Sequence, residues 1–189
     1  MLRRFALATA LLVAASTSHA AEVEIALSDS MAELKGSSRT QQTANQGTQV
    51  GGSILYNEDK DLLGSLFLQV NNRGDGAWRP VTFGVGAKLW AGSLDRPDED
   101  FVALGVGGEI GLGIPAQIPM AVVFTGYLSP NITTSGDTDR LTETMIRLEA
   151  EVTRGAHVFA GYRHLQARSS EYRNVRIDDG LHAGIRLRF

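Results

Sequence analysis

Leu181-His182-Ala183-Gly184-Ile185-Arg186-Leu187-Arg188-Phe189 closes the chain. Side chains of a strand alternate between its two faces. Leu181, Ala183, Ile185, Leu187 and Phe189 therefore share one face, and His182, Gly184, Arg186 and Arg188 share the other. The chain stops on an aromatic residue of the apolar face, with no polar tail. That ending suits a closing strand whose apolar side meets lipid and whose last ring sits in an interfacial girdle, as in transmembrane β-barrels.

The opposite end of the chain agrees. Residues 1–20 carry Arg3 and Arg4, then an apolar run from Phe5 to Ala15, then the small-residue exit Ser18-His19-Ala20. This is the pattern of a secretory leader cut between Ala20 and Ala21, leaving a mature domain over 21–189. The apolar run is too short to span as a helix, which needs roughly 20 residues, and no later run is long enough. The 189 residues hold 18 basic and 21 acidic side chains. Removing Arg3 and Arg4 makes the mature chain more acidic still, which argues against nucleic acid as a partner. Cysteine is absent, so disulfides and thiolate metal sites are excluded. The 21 glycines are spread through the strands rather than gathered in linkers, as a narrow barrel interior requires.

Period-two alternation recurs along the chain. Val23/Ile25/Leu27, then Met31–Gly36, form a first hairpin of short strands. Ser37–Gln46 reads as a polar loop. Strands follow over Thr48–Tyr56, Leu62–Val70, Val81–Ala91, Val102–Leu112, Met120–Leu128, Thr142–Val152, His157–Ala167 and the closing segment. The fold expected is all-β: an antiparallel up-and-down transmembrane β-barrel of ten strands with the first hairpin partly at the rim, or of eight counted from Thr48 onward. Both termini then lie on the periplasmic side. Thr153–Ala156, Ile114–Pro119 and Asn71–Arg79 are expected as short inner turns. Asn57–Asp61, Gly92–Asp100, Ser129–Arg140 and Arg168–Asp178 are expected as outer loops.

With the apolar face turned outward, Lys88, Glu109, Glu143, Arg147, Glu149, Glu151, Arg163, Arg186 and Arg188 fall inside as a lumen charge network. Charges in a poorly solvated interior must pair or hold water. His164 and His182, with Asp178 and Asp179 nearby, are the catalytic candidates, because a histidine beside a carboxylate can act as a base. Asp59, Asp61, Asp95, Asp98, Glu99 and Asp100 map to the outer rim and are the candidates for a divalent cation, whose ligands are oxygens. No loop has EF-hand spacing. Gly105–Gly111 lacks the spacing of a nucleotide loop.

Several segments in fixed order resemble the YfaZ family of Gram-negative outer-membrane proteins. They are V-E-I-A-L-S-D-S (Val23–Ser30), L-Y-N-E-D-K-D (Leu55–Asp61), T-F-G-V-G-A-K (Thr82–Lys88), L-D-R-P-D-E-D (Leu94–Asp100), L-S-P-N-I-T (Leu128–Thr133), G-Y-R (Gly161–Arg163) and I-D-D-G-L-H-A-G-I-R-L-R-F (Ile177–Phe189). The resemblance covers the mature chain and implies a small outer-membrane barrel. It brings no catalytic residues. The Gln/Thr-rich stretch Arg39–Gln49 has no place in the family pattern. The expected role is structural or interactive at the envelope. A lipid- or peptide-hydrolysing barrel with a His/acid rim site, and a narrow pore, stand as alternatives. Expected partners are outer-membrane lipid and lipopolysaccharide, and the barrel-assembly machinery through the strand ending in Phe189.

Overall fold

A computed structural model describes residues 20–41, 43, 45–76, 80–94, 99–136, 138–169 and 175–189. The expected leader lies outside these residues, apart from Ala20. The strands are β1 (Ala20–Ser28), β2 (Met31–Gln41), β3 (Gln46–Asn57), β4 (Leu62–Arg73), β5 (Val81–Leu94), β6 (Glu99–Ile114), β7 (Met120–Ser129), β8 (Thr134–Gly136), β9 (Thr138–Thr153), β10 (Ala156–Ser169) and β11 (Val175–Arg188). Every pairing is antiparallel. Each long strand bonds to its neighbours in sequence, β7 pairs with β9, and β1 pairs with β11 to close the ring. The result is a closed ten-stranded antiparallel barrel. The short β8 adds to the edge of β6 at the end away from the termini, after a 3-10 turn at Asn131–Thr133.

The closing ladder sets Glu22 opposite Arg188, Ile25 opposite Ile185 and Ser28 opposite His182. The first hairpin is thus a full part of the wall. It also extends through the segment expected as a loop: Ser37 to Gln41 continue β2, and Arg39 stands opposite Gln49. Ser37, Arg39 and Gln49 face the lumen, where Gln49 Nε2 donates to Ser37 Oγ at 3.0 Å, whereas Ser38, Thr40 and Thr48 lie on the outer face. Other bounds shift the same way. β4 runs on to Arg73, β5 to Leu94, and β9 starts at Thr138.

Hydropathy is inverted relative to a water-soluble fold. Val85 is 69 %, Val106 67 % and Leu181 76 % exposed, whereas Arg147 and Glu143 are each 4 % exposed. Alternation survives on the inner face because large rings sit over missing side chains. Phe159 stands directly opposite Gly184, and a Cβ at Gly184 would strike the Phe159 ring and the Ile25 carbonyl oxygen. Phe67 is paired with Gly51 in the same manner. A glycine beneath a cross-strand ring lets the aromatic fill the lumen without parting the strands. Gly184→Val is expected to destabilise the barrel by about 1–3 kcal/mol through overpacking at the closure. Urea titration of the detergent-solubilised protein, followed by fluorescence of the buried Trp90, measures this. An unchanged midpoint would refute the role given to Gly184.

Candidate functional site

The lumen has two levels. At the far end, remote from the termini, the inward residues are mostly apolar, with buried Asn57, Asp61 and Ser129 among them. Met31 begins β2, Leu55 and Leu63 flank the β3–β4 turn, and Trp90 and Leu94 end β5. Leu141, Leu165 and Ile177 complete the cluster from β9, β10 and β11. Trp90, Leu94, Leu141 and Leu165 are all under 2 % exposed. Trp90 meets Tyr127 edge-on with ring centroids 6.1 Å apart. This is a dry plug across the bore.

Below the plug, toward the termini, the lumen is polar and ion-paired. Arg163 joins the two levels. Its Nε lies 2.5 Å from Asp178 Oδ2, its Nη1 lies 2.5 Å from Glu33 Oε2, and its Nη2 donates to Met31 Sδ at 3.1 Å. Arg147 reaches Glu24 Oε1 at 3.0 Å through Nη1 and Glu149 Oε1 at 2.6 Å through Nε, and stacks over Phe159. Lys88 Nζ contacts Glu143 Oε2 at 2.6 Å. Arg186 pairs with Glu149, and Arg188 Nε bonds Glu22 Oε1 at 2.8 Å. Glu24, Glu33, Lys88, Glu143, Arg147 and Arg163 border a cavity of about 60 Å³, with Lys35, Gln69, Glu109, Tyr127 and His182 among its other walls. At roughly 10–15 Å³ per water position, it holds a few waters.

Of the residues expected in the lumen, Lys88, Glu143, Arg147, Glu149, Arg163, Arg186 and Arg188 make ion pairs. Glu109 lines the cavity without an ion pair among the described residues, and Glu151 stands opposite His157 near the terminal end. The residues that sequence reasoning missed are Glu22, Glu24, Glu33, Lys35 and Arg39 of the first hairpin. Strict alternation with Val23, Ile25, Leu27 and Leu34 would have placed them inside.

The catalytic candidates do not form one site. His182 points into the lumen, 4 % exposed, edge-on to Phe159, and neither ring nitrogen has a protein partner. His164 lies on the outer face of the same wall, where its Nδ1 is 3.1 Å from Asp179 Oδ1. Asp178 and Asp179 are likewise split between inside and outside. Ordinary alternation splits them, and a bulge follows in β11: Leu165 is paired with Asp178 but Gln166 with Arg176, so Ile177 and Asp178 both turn inward. The rim carboxylates do not converge either. Asp61 is 3 % exposed and accepts from Asn57 Nδ2 at 2.9 Å, while Asp59 and Asp100 are exposed. Asp95 and Asp98 lie outside the described residues, as does the side chain of Glu99. Among the described residues no group of three or more His, Asp or Glu side chains could hold a metal ion.

An apolar exterior, a closed antiparallel ring and a lumen of paired charges beneath an apolar plug define a small transmembrane-type β-barrel. The chain belongs to the YfaZ family: the family model described as "YfaZ precursor" matches residues 2–189. A comparison with curated proteins found no match.

Removing one member of a buried ion pair costs about 3–5 kcal/mol, because the other charge is left unpaired. Arg163→Leu should lower stability on that scale. The triple variant Arg163→Leu/Glu33→Gln/Asp178→Asn should recover most of it. Urea midpoints of the three proteins measure this, and equal stability of wild type and Arg163→Leu would show that the triad carries no such load.

Proposed function

We propose that this protein spans the outer membrane with its termini on the periplasmic side, and that it acts there as a closed structural or interaction barrel rather than a pore. Support for the location is the exposed apolar belt on all ten long strands, together with the "precursor" description of its family. Support for the orientation is the place of the longest link between the long strands, β7–β9 with its 3-10 turn and β8, at the far end, since outer loops are the longer ones; two-residue turns occur at both ends, at Asp29-Ser30 and at Arg154-Gly155. The terminal Phe189, 76 % exposed, is available to the assembly machinery.

The observation that carries the closed-barrel reading is the plug. Side chains with under 2 % exposure fill the bore at that level, and small barrels are commonly filled by their own side chains. The polar level beneath extends toward the termini, where Arg39 and Arg188 are more than a third exposed. Planar bilayers containing the wild-type protein should show no discrete conductance steps. Trp90→Ala/Leu141→Ala should introduce them. Steps from the wild type would overturn the closed reading, and recovery of the protein in the soluble periplasmic fraction would overturn the location.

A further inference from the structure

The outer wall of β9–β11 changes character row by row toward the far end. Residues paired across strands share a face, so the rows can be read from the registers. Ile146, Tyr162 and Leu181 form an apolar row with a girdle-type aromatic. Above it come Thr144, His164 and Asp179, then Thr142, Gln166 and Arg176, and finally Arg140 beside Arg168. The β11 bulge is what turns Arg176 outward, 71 % exposed. Asp179 is the one carboxylate among these rows. It accepts from Tyr162, meets His164, and lies 3.4 Å from Arg176 Nη1.

Arg140 and Arg168 stand directly opposite each other, exposed, with no ion pair for either among the described residues. Like charges at directly opposed strand positions destabilise a sheet unless an anion lies between them. The patch is local. On β5–β6 the corresponding outward positions are Ser93 and Asp100.

We propose that this face binds a phosphorylated glycolipid of the outer leaflet, with its acyl chains along the Ile146/Tyr162/Leu181 wall and its sugar phosphates on Arg176, Arg140 and Arg168. The inference rests on the membrane placement proposed above. Depth selects the ligand class. Two residues of strand rise ~7 Å, or ~5 Å along the membrane normal at a tilt of ~40°. Arg176 then sits ~10 Å and the Arg140/Arg168 pair ~15 Å above the apolar row. A phospholipid headgroup layer is only ~5–8 Å deep. Phosphates carried on a saccharide reach that height, and guanidinium forks suit them.

The test uses the full mature protein, purified in detergent. Lipopolysaccharide, the same material after phosphatase treatment, phosphatidylglycerol and inorganic phosphate are each titrated against wild type and Arg140→Gln/Arg168→Gln. Arg154→Gln, at the opposite end, is the control. Wild type and the control should bind lipopolysaccharide alike, with at least tenfold loss in the double variant and on dephosphorylation. Equal binding by wild type and double variant overturns the proposal. So does phosphatidylglycerol or free phosphate binding as tightly as the glycolipid. Fractionation of the same variants separates the two readings: outer-membrane protein without selective glycolipid binding defeats this inference alone, whereas absence from that fraction defeats the placement beneath it.

Discussion

Closure of β1 on β11 is the constraint on which the rest of this structure depends. A sheet presents unpaired N–H and C=O groups at its edges until it closes on itself. Here the first strand of the described chain supplies the partner for the last, from Glu22 opposite Arg188 to Ser28 opposite His182. Only a wall with no free edge can turn its apolar side to a surrounding that offers no hydrogen bonds. The register of that one ladder also sets the parity of the ring. A slip of one residue would exchange the faces, sending Glu22, Glu24 and Arg186 outward and Val23, Ile25 and Leu187 into the lumen.

Given that parity, the lumen must accommodate many ionisable groups in little solvent. It does so by pairing them across strands distant in sequence: Glu24 with Arg147, Glu33 with Arg163, Lys88 with Glu143. Desolvated pairs gain little net stability on their own, yet losing either partner is costly. The ladder therefore ties the N-terminal hairpin to β9 and β10 by penalty more than by gain. The apolar plug supplies burial of the ordinary kind and closes the bore. Arg163, 3 % exposed, sits where the two regimes meet and shares contacts with both.

One irregularity in β11 serves three parts of the barrel. Because the bulge places Ile177 and Asp178 both inside, Ile177 completes the plug and Asp178 reaches Arg163. Because it resets the alternation, Arg176 emerges on the outer face beside Gln166. Bulges re-aim side chains in this way wherever strict alternation would misplace one. The separation of His164 from His182 belongs to the same wall: they lie on adjacent strands, three register positions apart, and face opposite sides of it.

The closing stretch Leu181–Phe189, with alternation from Val81 onward, was enough to determine an inside-out antiparallel barrel and most of its inward charges, because period-two patterning is local and survives tertiary context. The plug was written there too. Trp90, Leu141 and Leu165 occupy inward positions, but in Leu89-Trp90-Ala91 both faces are apolar, so alternation falls silent where the interior turns dry. The first hairpin was legible as alternation around Glu22 and Glu24, yet Ser37–Thr40 read as loop, since a run that is polar on both faces shows no alternation. Which charge meets which, the burial of Asp61, and the inward turn of Ile177 beside Asp178 were decided by tertiary structure alone. They depend on the register of strands far apart in the chain and on a bulge whose position no local pattern marks.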